Sequence, residues 1–333
     1  MQTKRRDFLA GCAAVGAGAL VPMGWGQRAK AHRIDIHHHL FPKSYIDETS
    51  KGITPSNWTP AKSVEEMDAG GIATSVLSVS PPGIWYGNVE QSRRLSRVVN
   101  EFGARMEQDY PGRFGLFAAV PLPDVEGSLR EIGFALDTLK ADGIGLFTSY
   151  GNKWLGDAAF APVWEELNRR KAVIYTHPNN PECCTNLNTG VGAGTIEWAT
   201  DTTRTVASLV FTGTAARYPE IRWIFSHGGG TTPFLLSRFQ VQAQSMKGKE
   251  QRLPKGLMYE LTKFYYDTAQ ANHPGALAAL LKLVTPAQIL YGTDYPYRTA
   301  AEENGGLSAQ GFAAKELLAI ERENALRLMP RLA

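Results

Sequence analysis

The sequence predicts a single (β/α)8 TIM barrel. Eight short apolar runs recur along the chain, and a helical stretch follows each of them. No Gly-x-Gly-x-x-Gly follows the first run, as a doubly wound dinucleotide fold would require. The conspicuous polar residues gather at the C-terminal ends of the runs, where barrel enzymes carry their chemistry. A chain of 333 residues with 43% hydrophobic content is long enough for the barrel core.

The expected strands are 33–37, 72–79, 114–119, 143–148, 172–176, 221–226, 262–267 and 288–292. Each is short and rich in Ile, Val, Leu and Phe, as strands buried on both faces are. The helices are expected at 88–108, capped by Asn88, and at 124–140, starting from Asp124 behind Pro123. Further helices are expected at 158–170, 195–217, 232–246, 274–283 and 309–319, with a last one near 321–329.

Residues 1–31 read as a twin-arginine signal peptide and 32–333 as the barrel domain. Thr3-Lys4-Arg5-Arg6-Asp7-Phe8-Leu9 precedes an apolar, Gly/Ala-rich stretch, and Ala29-Lys30-Ala31 is a cleavage site. The expected location is therefore periplasmic or secreted. Leu9-Ala10-Gly11-Cys12 has the look of a lipoprotein box, but it precedes most of the apolar region. That region is too short and glycine-rich for a membrane span. The segment carries a net +4 against +3 for the whole chain, which leaves the remainder near −1. The basic charge belongs to the leader, so nucleic-acid binding is not expected. Cys183 and Cys184 are adjacent and would bridge only through a strained ring, so no structural disulfide is expected.

The chemistry starts at Asp35-Ile36-His37-His38-His39. Strand alternation puts Asp35, His37 and His39 on one face and His38 on the other. His177 ends strand five, His227 ends strand six in Ser226-His227-Gly228-Gly229-Gly230, and Asp294 follows strand eight in Tyr291-Gly292-Thr293-Asp294. Three imidazoles and one carboxylate leave room on a divalent cation for water or substrate. The expected ligands are His37, His39, His177 and Asp294, on zinc or manganese. His227 is then free as general acid/base. Arg298 is the candidate cation for a substrate carboxylate. His38 is expected to pack, His32 to be solvated and His273 to be a loop residue. Trp58, Trp85, Tyr86 and Tyr150 are candidates for an aromatic wall.

With these motifs the chain resembles the amidohydrolase superfamily, metal-dependent hydrolase type. Within it the chain resembles the group around aminocarboxymuconate-semialdehyde decarboxylase. The carriers are Asp35 to Pro42, Asp109-Tyr110-Pro111-Gly112-Arg113-Phe114, Thr176-His177-Pro178, Ser226-His227-Gly228-Gly229 and Tyr291 to Pro296. Val120-Pro121-Leu122-Pro123 and Leu136-Asp137-Thr138-Leu139 are similar to bacterial 6-methylsalicylate decarboxylases. The resemblance implies non-oxidative decarboxylation of a small aromatic or unsaturated carboxylic acid, with His227 or Asp294 delivering the proton, and a homodimer. Two-metal members of the superfamily use a carboxylated lysine at strand four. Gly143 to Tyr150 holds none, so one metal is implied. The competing function is hydrolysis of a lactone, ester or amide by the same metal-activated water.

Overall fold

In the computed structural model, residues 31–49 and 57–333 are described; the segment expected to be a signal peptide, residues 1–31, lies outside them except for Ala31. Eight parallel strands form the barrel: β1 (Arg33–His39), β2 (Ile72–Ser78), β3 (Phe114–Ala119), β4 (Gly143–Phe147), β5 (Val173–His177), β6 (Arg222–Phe225), β7 (Tyr265–Asp267) and β8 (Ile289–Leu290). All eight fall on the runs expected from sequence. Closure runs from β8 and its exit back to β1, through Ile36 N–H to Tyr291 O (3.0 Å), Asp294 N–H to His37 O (2.8 Å) and His39 N–H to Tyr295 O (2.9 Å).

The barrel interior is filled by Ile34, Ile36, Val76, Phe117, Tyr175, Ile224 and Leu290, with Leu328, Met329 and Leu332 of the C-terminal segment packed on the same cluster. This apolar plug puts the chemistry at the other end, where β1 and β5 finish in histidine.

The helices depart from expectation in instructive places. Asn88 caps Val89–Asp109 through Oδ1, which accepts Gln91 N–H at 3.0 Å. Asp124 starts Val125–Gly133, but its carboxylate makes no cap bond and pairs with Arg93. Two helices stand near the one expected at 309–319: Ala300–Ser308, which lies before that range and was not expected, and Ala314–Leu318 within it. The first starts at a capping box, Thr299 with Glu302, and Gly311 breaks the run before the second. Helix Pro60–Gly70 was not expected. Its signals are Thr59 as N-cap, Pro60 at the first position and Gly71 in the left-handed region with φ 68°. Strand seven, expected over 262–267, starts only at Tyr265, because helix Leu257–Thr262 runs into its first expected residue.

Candidate metal centre and active site

Strict alternation fails in β1, and the failure builds the site. Between Asp35 and His38 the strand runs three residues while β2 runs two, from Ser75 to Leu77. This bulge adds one residue and breaks the pleat. Ile36 stays in the interior cluster, yet His37 and His39 both face the cavity. Asp35 does not join them. Its Oδ2 lies 3.1 Å from His38 Nδ1 and accepts Thr293 Oγ1–H at 2.7 Å, and its Oδ1 accepts Thr293 N–H at 2.9 Å. Asp35 thereby ties β1 to the turn that carries Asp294. His38 is buried, stacked on Tyr295 and hydrogen-bonded to Ser63, so it is a packing residue as expected.

His37, His39, His177 and Asp294 come together, each fully or almost fully buried. His37 Nε2 is 3.2 Å from His39 Nε2 and 3.1 Å from Asp294 Oδ1, which is 3.0 Å from His39 Nε2. The opposite ring nitrogens explain what this convergence is for. His37 Nδ1 faces Asp267 Oδ2 at 2.8 Å, His39 Nδ1 faces Ser78 O at 3.3 Å, and His177 Nδ1 faces Pro178 O at 2.8 Å. Each Nδ1 therefore carries the proton, and all three Nε2 lone pairs aim at one point beside a carboxylate. His177 Nε2 is buried with no protein partner. Nitrogens packed this closely need a positive charge among them, a proton in the metal-free protein or a cation in its place; the donor set fits a divalent metal.

The electrostatics carry the same signature. Burial opposes charge on His37, but the carboxylates of Asp267 and Asp294 outweigh it and raise the imidazole to about 10. Burial lowers His39, and burial with three neighbouring histidines holds His177 well below the ordinary range. Asp294 sits well below the ordinary carboxylate range; its burial acts upward and is overcome by His37 and His39.

Asp267, at the end of β7, was missed from sequence. Its Oδ2 holds His37, while Oδ1 accepts the backbone N–H of His227 at 2.7 Å. The available signal was its place, because it ends a barrel strand as His177 does. Gly292 lies beneath this pair, where a Cβ would stand 2.8 Å from that of His37. His37, His227 and Asp267 also bring ligand atoms close together, but both oxygens of this Asp267 are already engaged by donors.

His227 adopts a positive φ of 53°, a cost accepted by residues that an active site must aim. Its Nδ1 lies 3.0 Å from Ala269 O, and its buried Nε2 has no partner. The ring centroids of His37 and His177 are 4.9 and 5.4 Å away. Gln270, also at positive φ, donates Nε2–H to Asp294 Oδ2. It borders two cavities. One, of about 240 Å³, is lined by His227, Trp198, Ala199, Ala271 and Ala276. The other, of about 380 Å³, is lined by Arg298, Asn272, His273 and Glu303. Arg298 is thus near Gln270 but half-exposed, and its guanidinium lies 3.7 Å from Glu302.

Of the four candidates for an aromatic wall, Trp58 and Tyr150 are packing residues. Trp58 is buried against Phe41 and Phe102, and the buried Tyr150 hydroxyl accepts Phe147 N–H; both are core. The rings beside the ligands include Tyr175 (5.4 Å from His37), Tyr297 (5.7 Å from His39), Trp198 (5.8 Å from His177), Phe41 (6.4 Å from His39) and Phe147 (6.4 Å from His177). Phe147 ends β4, the strand that lacks the lysine. His32 pairs with Glu321 at 2.7 Å instead of standing free in solvent. His273 is a loop residue as expected, and its Nδ1 caps Pro274–Leu283.

The chain matches the amidohydrolase family over residues 34–331. It is 36% identical to a decarboxylase from Penicillium terrestre, covering 90% of this chain and 95% of that protein. It is 33% identical to a 6-methylsalicylic acid decarboxylase from Aspergillus aculeatus, covering 90% and 96%. The fold is shared with a manganese-bound 5-carboxyvanillate decarboxylase from Novosphingobium aromaticivorans. The TM-score is 0.83 at 21% identity, over 92% and 98% of the two chains. This chain belongs to the amidohydrolase family.

Proposed function

We propose that this amidohydrolase is a metal-dependent, non-oxidative decarboxylase of a small aromatic acid, a hydroxybenzoate with a hydroxyl ortho to its carboxylate. The observation that carries the reading is the convergence of three Nε2 lone pairs and Asp294 Oδ1, with the unpartnered Nε2 of His227 beside them. Full-length similarity to proteins named as decarboxylases supports a lyase over a hydrolase.

His37, His39, His177 and Asp294 would hold one divalent ion. Three imidazoles suit zinc, and the manganese of the structural relative keeps that metal in contention. When bound, the ion supplies a positive charge for the substrate carboxylate and its ortho oxygen. No Lys or Arg lines the cavity of about 240 Å³ beside His227, so among the described residues the counter-charge lies in the ligand cluster. Trp198, Ala271 and Ala276 offer an apolar wall to the ring.

His227, protonated on Nε2, delivers its proton to the ring carbon bearing the carboxylate. The bond from that carbon to the carboxylate then breaks, and its electron pair restores the aromatic ring. One carboxylate and one proton become one arene and one CO2. The Gln270 amide occupies Asp294 Oδ2 as a donor, which keeps Asp294 an acceptor and favours His227 as the acid. Arg298 lies outside this cavity, where it attracts the acid on approach. Export by the twin-arginine route and a homodimeric state complete the proposal.

The test is metal-loaded enzyme incubated with a panel of hydroxybenzoates while CO2 is measured. Release of CO2 is expected, together with loss of metal in His37→Ala and Asp294→Asn. Cleavage of esters or amides with no CO2 from any acid would overturn the reading.

A further inference from the structure

We propose that Cys183 and Cys184 form a reversible oxidation site, a vicinal dithiol that a small-molecule disulfide closes into a ring, coupled to the wall of the active-site cavity. The site stands on its own chemistry and does not depend on which acid the enzyme consumes.

The two sulfurs lie 2.8 Å apart. Cys183 is exposed and Cys184 partly so, and the guanidinium of Arg204 stands 3.6 Å from Cys184 Sγ. Two accessible thiols in contact can reach a small oxidant and then each other, which buried structural cysteines cannot. Cys183 is the more exposed of the two, so its sulfur meets the oxidant first; hydrogen bonding with Cys183 pushes the Cys184 thiol up to about 11.

The steps balance. Cys183 thiolate attacks one sulfur of the disulfide oxidant, forming a mixed disulfide and expelling one thiolate. Cys184, giving up its proton, attacks the Cys183 sulfur and expels the second. The protein loses two electrons and two protons, and the oxidant becomes two thiols.

The location gives the bond a consequence. The cysteines sit in the turn Glu182–Cys184, shortly after the ligand His177. The turn is held by Cys184 N–H to Pro181 O (3.1 Å) and Leu187 N–H to Cys184 O (3.2 Å). Adjacent Cα atoms are about 3.8 Å apart, whereas disulfides ordinarily join Cα atoms about 4.4–6.8 Å apart. Ring closure therefore distorts this turn, and the strain leaves the bond easily reduced. Asn180, just before the turn, accepts Trp198 Nε1–H at 2.6 Å, and Trp198 lines the cavity beside His227. A single hydrogen bond thus connects the thiol turn to the substrate wall.

The test treats the full-length, metal-loaded enzyme with oxidised glutathione and maps it with trypsin without reduction. Both cysteines lie in peptide 172–204, between Lys171 and Arg204, apart from Cys12. The expected peptide is lighter by two hydrogens and is restored by a thiol reductant. Cys183→Ser and Cys184→Ser should each stop at one glutathione adduct, without the loss of two hydrogens. Two free thiols, or two separate adducts in the native chain, overturn the site. The oxidised enzyme should show a changed KM with unchanged metal content; identical KM values overturn the coupling to Trp198. The mass measurement needs no substrate, so absent decarboxylation leaves it readable.

Discussion

Asp267 Oδ2 stands 2.8 Å from Nδ1 of His37, and the same carboxylate receives the backbone N–H of His227 at 2.7 Å. One buried residue therefore fixes the tautomer of a metal ligand and the position of the proposed acid. Replacing it by Asn keeps the size and removes the charge. Asp267→Asn is expected to weaken metal affinity by about 10–100-fold, the usual cost of losing a carboxylate behind a ligating histidine. Competition with a chelating dye measures it. Unchanged affinity would mean that β1 packing alone orients His37.

Metal removal should change how stability depends on pH. In the metal-free protein His37 is raised to about 10, because Asp267 and Asp294 outweigh its burial. Its protonation stabilises the fold fully below the ordinary value of 6.5, and that contribution is lost as pH rises from there through about 10. His39 and His177 are lowered, chiefly by burial, so they weaken the fold as pH falls below 6.5. The metal-free Tm should therefore fall on both sides of about 6.5. With metal bound, His37 holds no proton on Nε2 and the alkaline decline should disappear. Thermal melts across pH, with and without chelator, decide it. An alkaline decline of the same size in both forms would refute the argument.

Much of this site is legible in the chain because its ligands sit at strand ends, and strand ends are what apolar runs reveal. His37, His39, His177, His227 and Asp294 all follow such runs. The misses have physical causes. The alternation rule placed Asp35 with His37 and His39, but a bulge adds a residue that no local pattern announces. Asp267 ends a run, 262–267, that is longer than its strand, because a helix reaches Thr262 and the strand starts only at Tyr265. Trp58 carries the composition of a pocket wall, yet the helix that begins at Pro60 brings Ser63 to its indole N–H and buries it. Gln270 had no signal at all; its role comes from a positive φ that aims it at Asp294.

Arg298 tests whether charge at the mouth matters. It is half-exposed, and its guanidinium stands 3.7 Å from Glu302, in the cavity on the far side of Gln270 from His227. Solvent screens such a group, so Arg298→Ala should raise KM by roughly fivefold at most, with kcat unchanged. The difference should shrink as salt is added, since exposed charges act within a Debye length of roughly 10 Å at 0.1 M. A large fall in kcat would instead place Arg298 against the reacting carboxylate.

His227 separates metal binding from chemistry. Its Nδ1 faces Ala269 O at 3.0 Å, and only the buried Nε2 is aimed at the ligand cluster without a partner. None of the four proposed ligands depends on its side chain for a hydrogen bond, so its loss leaves the metal site standing. His227→Ala is expected to retain full metal content and to lose about a hundred- to ten-thousand-fold in kcat, the scale of a single positioned acid. Asp294→Asn, by contrast, should lose the metal itself. If His227→Ala retained both the metal and the parent kcat, the proton would have to come from Asp294, and the Gln270 contact to Oδ2 would have to break during turnover.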